Sequence, residues 1–496
     1  MGVVALVAAL AVSRAAVATP LFETVGATGS HGGFSGVVSS PSVASAYFNP
    51  ALLVDAPNEL IVGMTVVTEQ IGVTLDGRPA GADVPLAVGS RDVVGPDGTP
   101  IPNDSVPTDW LKRGCKPSGS QCPTGPFAAR PRQRQGSSDV THSYVVLGLV
   151  KNLVKDRAAV GLYMMLPVGR LTTAQSFYAD QREQLFSNSL HPEMYGDRLT
   201  AISIALGGSF RVLDTLALGV GTTFGIANAA TSATYVRDST DYSTLLLNND
   251  VGVEVALSPH AGLYWTPTPW LRVGLAVHAS QSLSISTTII TTLPSGVSST
   301  AQQEQVHDYM PWRETLGVEM DVVRTPRRTF SVVASVQHIG WSTYVDRHGQ
   351  SPSSYGADLG FSDAVNVSLG MRHRVGVVRG FVDFQLAPSP VPDQIGRSNY
   401  VDSDRFGAIV GGDVELDLAG VKLRPALSLL GYRLAWRHQD KDDARMTDEV
   451  PDNARVATTS EPLRGARGLQ TNNPGWPGYG SDGWVFGGSL SFNVAY

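Results

Sequence analysis

The sequence predicts an all-β chain, a fourteen-stranded antiparallel transmembrane β-barrel. Three observations carry this. Segments of ten to eighteen residues alternate apolar with small, polar or charged side chains, the period of a strand with two different faces. Connections between them alternate short and long. Charged residues make up 16% against about 25% in ordinary soluble proteins, and mean hydropathy is close to zero, as expected where an apolar outer face averages against a polar lumen.

The last segment, WVFGGSLSFNVAY at 484–496, is the clearest. Trp484, Phe486, Leu490, Phe492, Val494 and Tyr496 share one face, Ser489, Ser491 and Asn493 the other. Aromatic residues at both ends of the apolar face are what two lipid-water interfaces select. The segment at 405–418 opposes Phe406, Ala408, Val410 and Val414 to Arg405, Asp413, Glu415 and Asp417. Charge at that density is costly in a dry core and comfortable against a wet lumen. Segments at 215–226 and 271–285 repeat the split.

Short turns fall near 152–156, 212–215, 266–269, 325–328, 374–378 and 418–420, and long polar stretches near 76–138, 171–197, 237–250, 288–311, 345–361, 388–403 and 439–482. Six turns and seven loops join fourteen strands. Even strand number, short periplasmic turns and long extracellular loops together describe an outer-membrane barrel, and closure removes exposed edges. A soluble multi-domain β protein is the alternative that period-two alternation leaves open.

Residues 2–18, GVVALVAALAVSRAAVA, end in Ala16-Val17-Ala18 before Thr19-Pro20, a small-residue cleavage pattern. The reading takes 1–18 as a signal peptide, 19–57 as an N-terminal segment and 58–496 as the barrel. A basic n-region is absent and Arg14 lies within the run, so a buried N-terminal helix is the competing reading. Cys115 and Cys122, the only cysteines, are expected to close a small loop after export, worth about 2–3 kcal/mol. They have no zinc-like spacing with histidine. A net charge of −7 argues against nucleic acid, and Arg130, Arg132 and Arg134 read as a solvated loop. No nucleophile elbow, phosphate loop or zinc-protease motif occurs, so no enzyme, cofactor or metal is expected. His260 and His278 fall on lumen faces and read as wetted lining.

Three features stand out. Asn49-Pro50-Ala51 stops a helix expected over 41–48, with Ser40 as its cap and Pro41 at its first position. Pro167 and Gly169 interrupt the third strand, since proline cannot donate to a ladder; a frayed end and a deliberate kink both fit. Inward basic positions are Arg313 and Arg405 in the outer half, with Arg211, Arg272, Arg372 and Lys422 nearer the turns. Arg372 is expected to pair with Asp383 on the next strand.

In order along the chain, GGFSGVVSSPSVASAYFNPALL at 32–53, SYVVLGLVKNLVKDRAAVGLYMMLPVG at 143–169, FRVLDTLALGVGTTF at 210–224, SPHAGLYWTPTPWLRVGLAV at 258–277, MPWRETLGVEM at 310–320 with GWS at 340–342, and SPVPD with DSDRFGAIVGG at 389–412 resemble the FadL/TodX-type family of outer-membrane transporters. The cysteine-bearing loop at 76–138 and the charged stretch at 439–482 depart from it by their length. The resemblance implies uptake of long-chain fatty acids or hydrocarbons through a fourteen-strand barrel. Its N-terminal hatch would contain Asn49, Pro50 and Ala51 and fold into the lumen, and a lateral opening would lie near Pro167 and Gly169. A fatty-acid carboxylate would then meet Arg313 or Arg405, and Phe177, Leu185 and Phe186 would line an access groove, with ordinary loop packing as the alternative. Expected partners are the hydrophobic ligand, outer-membrane lipid, and the barrel-assembly machinery through the C-terminal strand ending at Tyr496; a monomer is expected. The rival reading is a structural or adhesive barrel whose loops hold a surface partner.

Overall fold

The computed structural model describes residues 21–77, 134–168, 190, 202–236, 245–292, 298–346, 349–354, 356–396, 398–445 and 475–496. The expected signal peptide, Cys115, Cys122, Gly169, Phe177, Leu185 and Phe186 lie outside the described residues.

Seventeen strand segments make fourteen wall strands. These are β1 Glu59–Leu75, β2 Arg134–Val154, β3 Ala158–Pro167, β4 Ile202–Leu213, β5 Leu216–Val236, β6 Leu245–Thr268, and β7 in two pieces, Leu271–His278 and Gln281–Thr292. They continue with β8 as Ser298–Met310 and Arg313–Arg324, β9 Arg328–Ile339, β10 Ala364–Val375, β11 Val378–Ala387, β12 as Arg405–Val414 and Leu416–Leu418, β13 Val421–Asp440 and β14 Gly478–Ala495. Each pairs antiparallel with its sequence neighbour, and β1 pairs with both β2 and β14, closing the barrel. No described helix is long and apolar enough to cross a membrane.

Two expected loops are corrected. Residues 245–250 of the first belong to strand β6, and 288–292 and 298–310 of the second belong to β7 and β8. Residues 245–250, LLLNND, do not alternate, and 288–292 with 298–305, TIITT and SSTAQQEQ, are polar strand formers without a regular apolar face, so periodicity alone hid them. Residues 230–235 of β5 also pair in parallel with 287–292 of β7.

The faces fall as the alternation dictates. Met64, Leu490 and Leu427 form one outward row across β1, β14 and β13, each about half exposed. One residue away, Thr65 and Ser489 face inward and share a hydrogen bond of 2.8 Å. Trp484 and Tyr496, both on the exposed face, are 12 residues apart. At about 3.3 Å per residue and about 40° of tilt, that spans roughly 30 Å, the separation of two interfacial girdles. Leu490→Arg is therefore expected to cost about 2–4 kcal/mol in urea-unfolding titrations in lipid vesicles, against a much smaller loss for Ser489→Arg on the lumen face.

Candidate functional site

Residues 21–54 lie buried inside the bore. Helix α1 (Leu21–Val25), helix α2 (Ser45–Phe48) and a 3-10 turn (Pro50–Asp55) are joined by a glycine-rich stretch with no alternation of its own. Gly33 takes φ +54, a left-handed conformation that suits glycine. It aims the next two main-chain N–H groups, of Phe34 and Ser35, at one carboxylate oxygen of Asp383 (2.7 and 2.8 Å). The expected Arg372–Asp383 pair is present, and Arg372 also donates to Ser35 Oγ (3.2 Å). Opposite the carboxylate stands Gly370, where a Cβ would collide with it.

Asn49 joins the segment to itself and to the wall. Its Oδ1 accepts from Ala51 N (3.1 Å), capping the 3-10 turn, while Nδ2 donates to Val38 O (2.9 Å) and to Leu263 O of β6 (3.1 Å). Pro50 opens the turn, where its missing N–H costs nothing. The wall makes room by omitting side chains. Gly161 of β3 pairs across the ladder with Gly207 of β4, Gly219 of β5 with Gly262 of β6, and Gly274 of β7 with Gly317 of β8. A Cβ at Gly219 would fall on Ala51 N, at Gly262 on Asn49 Oδ1, and at Gly274 on Val38 O.

The first helix is held by charge. Arg313 is fully buried and donates through Nε to Glu23 Oε1 (2.8 Å), with a further bond to Tyr47 Oη and its guanidinium 5.4 Å from the Tyr47 ring. Tyr47 Oη donates to Glu23 Oε1 (3.0 Å) and Gln337 Nε2 to Glu23 Oε2 (3.0 Å). Arg313 Nη1 is buried with no partner among the described residues. Beside it His260 and His278 stack at 5.0 Å and bond the main-chain oxygens of Ala46 (2.8 Å) and Tyr47 (2.9 Å). A carbonyl only accepts, so Nε2 carries the proton in both rings. They anchor the segment and are not wetted lining, a correction that needed the segment's position. Tyr432 Oη donates to Thr24 O (3.0 Å), and Asn493 Nδ2 to Gly29 O (2.7 Å).

The helix before Asn49 is also corrected. It is one turn, 45–48, with Ala44 at its cap position and no side-chain cap bond. Ser40 Oγ instead donates to Glu319 Oε2 of β8 (2.7 Å), a charge-assisted bond to a buried carboxylate. Arg405 heads β12 beside the buried Asp402, whose carboxyl is pushed up by burial in spite of that guanidinium. At Pro167 the ladder to β2 persists, with Tyr144 opposite and Val168 N donating to Ser143 O (2.7 Å), while the ladder to β4 ends at Met165–Ser203.

The two ends of the bore differ. At the long-loop end Tyr344 and Phe361 stack at 4.4 Å, Tyr400 meets both edge-on, and Trp341 and Tyr309 close the cluster. Lys441 there donates to Gly396 O (2.8 Å) and Ser398 O (2.6 Å), and burial pushes its ammonium down to about 7. At the short-turn end lies a polar cavity of about 470 Å³, lined by five arginines, two histidines and two carboxylates. At the opposite, long-loop end His438 sits between Asp76 (3.0 Å) and Asp440 (3.4 Å) in ion-pair geometry.

A closed fourteen-strand barrel, apolar outside and polar within, with aromatic residues at both ends of its outer face, is an outer-membrane channel protein. The chain belongs to the outer membrane protein transport protein family (OMPP1/FadL/TodX), whose sequence profile matches residues 5–413. A FadL homologue from Pseudomonas aeruginosa is 14% identical and superposes with a TM-score of 0.51 over 98% of this chain and 99% of that one, sharing the fold. The toluene transporter TodX of Pseudomonas putida (12% identity, TM-score 0.48, 96% and 99% covered) and the monoaromatic hydrocarbon channel CymD (12%, 0.47, 97% and 99%) are also similar. No curated protein matches the chain.

Proposed function

We propose that this protein takes hydrophobic small molecules, fatty acids or hydrocarbons, through the outer membrane by diffusion, with residues 19–57 as a gate in the bore and release sideways through the wall at β3. The observation that carries this reading is the contrast between the two ends. A ligand entering from the loops meets stacked aromatic rings, which suit apolar molecules. Straight ahead lies the charged short-turn cavity, where an apolar molecule gains nothing and strips water from arginines. The wall would offer another route where, among the described residues, β3 runs two residues past its last pairing with β4. A fatty-acid carboxylate would compete with Glu23 for Arg313, whose Nη1 is spare, so arrival of the ligand would loosen the gate's first helix.

Uptake of radiolabelled oleate and toluene into proteoliposomes tests this. Pro167→Val should restore β-ladder capacity and lower uptake of both by at least about tenfold, on the view that the exit is the unpaired wall. Unchanged uptake with the strand shown continuous by amide exchange would overturn lateral release there. Arg313→Gln should impair oleate and spare toluene; equal loss of both would remove Arg313 as the carboxylate anchor.

A further inference from the structure

The short-turn cavity has a charge pattern that hydrophobic transport does not use. Its lining includes Arg272, Arg324, Arg372, Arg374 and Arg379. Three of these have carboxylate partners in the wall: Arg272 with Glu319 and Asp321, Arg372 with Asp383, and Arg379 with Asp413. The other two have none among the described residues. Arg324 donates to Pro269 O, and Arg374 Nε to Gly376 O (3.2 Å). Both carbonyls are neutral, so two guanidinium charges at the mouth are uncompensated. Deeper in, Arg372 Nε is buried with no hydrogen-bond partner among the described residues. The roof is the N-terminal segment, through His31, Ser40 and Pro41, and His31 stands in the combined field of Arg379, Arg372, Arg424 and Arg272.

We propose that this vestibule binds a phosphate group. Two uncompensated guanidinium ions and the imidazoles of His31 and His373 line a space of about 470 Å³, far more than one carboxylate needs. A phosphate carries up to two charges and three or four acceptor oxygens, and arginine forks match its geometry. The site faces the short-turn end, where Arg324 and Arg374 are exposed, at the depth of phospholipid headgroups. It is equally open to free phosphate. Because His31 and Ser40 come from the N-terminal segment and the arginines from β7 to β11, a bound phosphate bridges segment and wall and holds the segment in place.

The test uses the full chain in an uncharged detergent, titrated calorimetrically with inorganic phosphate, short-chain phosphatidylglycerol and short-chain phosphatidylcholine. Saturable binding of either inorganic phosphate or phosphatidylglycerol is expected. Competition between the two shows that the phosphate group itself is read, and binding of phosphatidylglycerol alone assigns the site to a lipid headgroup. Arg324→Gln/Arg374→Gln should weaken binding at least about tenfold, the loss of two charge-assisted contacts. Arg327→Gln, on the same turn but outside the cavity, should change it less than about twofold. Both variants alter exposed side chains at strand ends or in the turn, so the barrel folds. No saturable binding by any probe, or equal effects of the double variant and Arg327→Gln, would overturn the proposal.

Discussion

Valine in place of both Gly262 and Gly274 is expected to drive residues 21–56 out of their seat while leaving the barrel intact. The added Cβ atoms would occupy the positions of Asn49 Oδ1 and Val38 O, and neither can yield cheaply. Asn49 Oδ1 caps the 3-10 turn, and Val38 O accepts from the same side chain. Displacing Asn49 forfeits three hydrogen bonds at about 1 kcal/mol each, on top of about 1–3 kcal/mol of overpacking at each site. The wall itself gains strand propensity from the exchange, and its lipid-facing rows are untouched. Single-channel recording in planar bilayers should show small, rare conductance for the native chain and large, steady conductance for the variant, with residues 21–56 newly open to protease. A variant that stays closed and protected would mean that the glycine row is not what admits the segment.

Glu23→Gln should open the bore almost as far by a different cause. It leaves Arg313, with its side chain 1% exposed, facing a neutral amide, and breaking a buried pair on one side costs about 3–5 kcal/mol. Glu23 is itself 18% exposed, so the lower end of that range applies. Removing both charges is a separate matter. Glu23→Leu with Arg313→Met replaces the pair by apolar volume, a change that is often neutral or stabilising, so the double variant should close again. The same double variant has no guanidinium for a carboxylate, and should therefore pass toluene while failing with oleate. Conductance and uptake measured on the two variants read these effects separately. If Glu23→Gln remains closed, the ion pair is not what holds the first helix.

How much of this was readable beforehand depends on the range over which each signal acts. Alternation placed Arg405, Asp413, Ser489 and Asn493 on the lumen face correctly, because consecutive strand residues point to opposite sides whatever lies beyond them. The Arg372–Asp383 pair was also legible, since adjacent antiparallel strands bring these residues, 11 apart, onto one face as diagonal neighbours, with Phe381 opposite Arg372 and Gly370 opposite Asp383. Ser40 was not. As a serine before proline it looks like a helix cap, and only the folded wall shows Glu319, 279 positions away, taking its hydroxyl. The stacked histidines were misread for the same reason, as their partners Ala46 and Tyr47 are more than two hundred residues distant.

The sequence by itself determined the barrel: strand number, lipid and lumen faces, aromatic ends and the stop at Asn49-Pro50-Ala51 are all properties of short windows. Only the tertiary structure decided what that stop does. Closing β1 on β14 makes an interior, and within it one asparagine meets β6, one arginine meets α1, and a row of missing side chains leaves space for both. Residues 21–56 have no period to betray their face. Their place is set by fit against a wall that does not exist until every strand has paired.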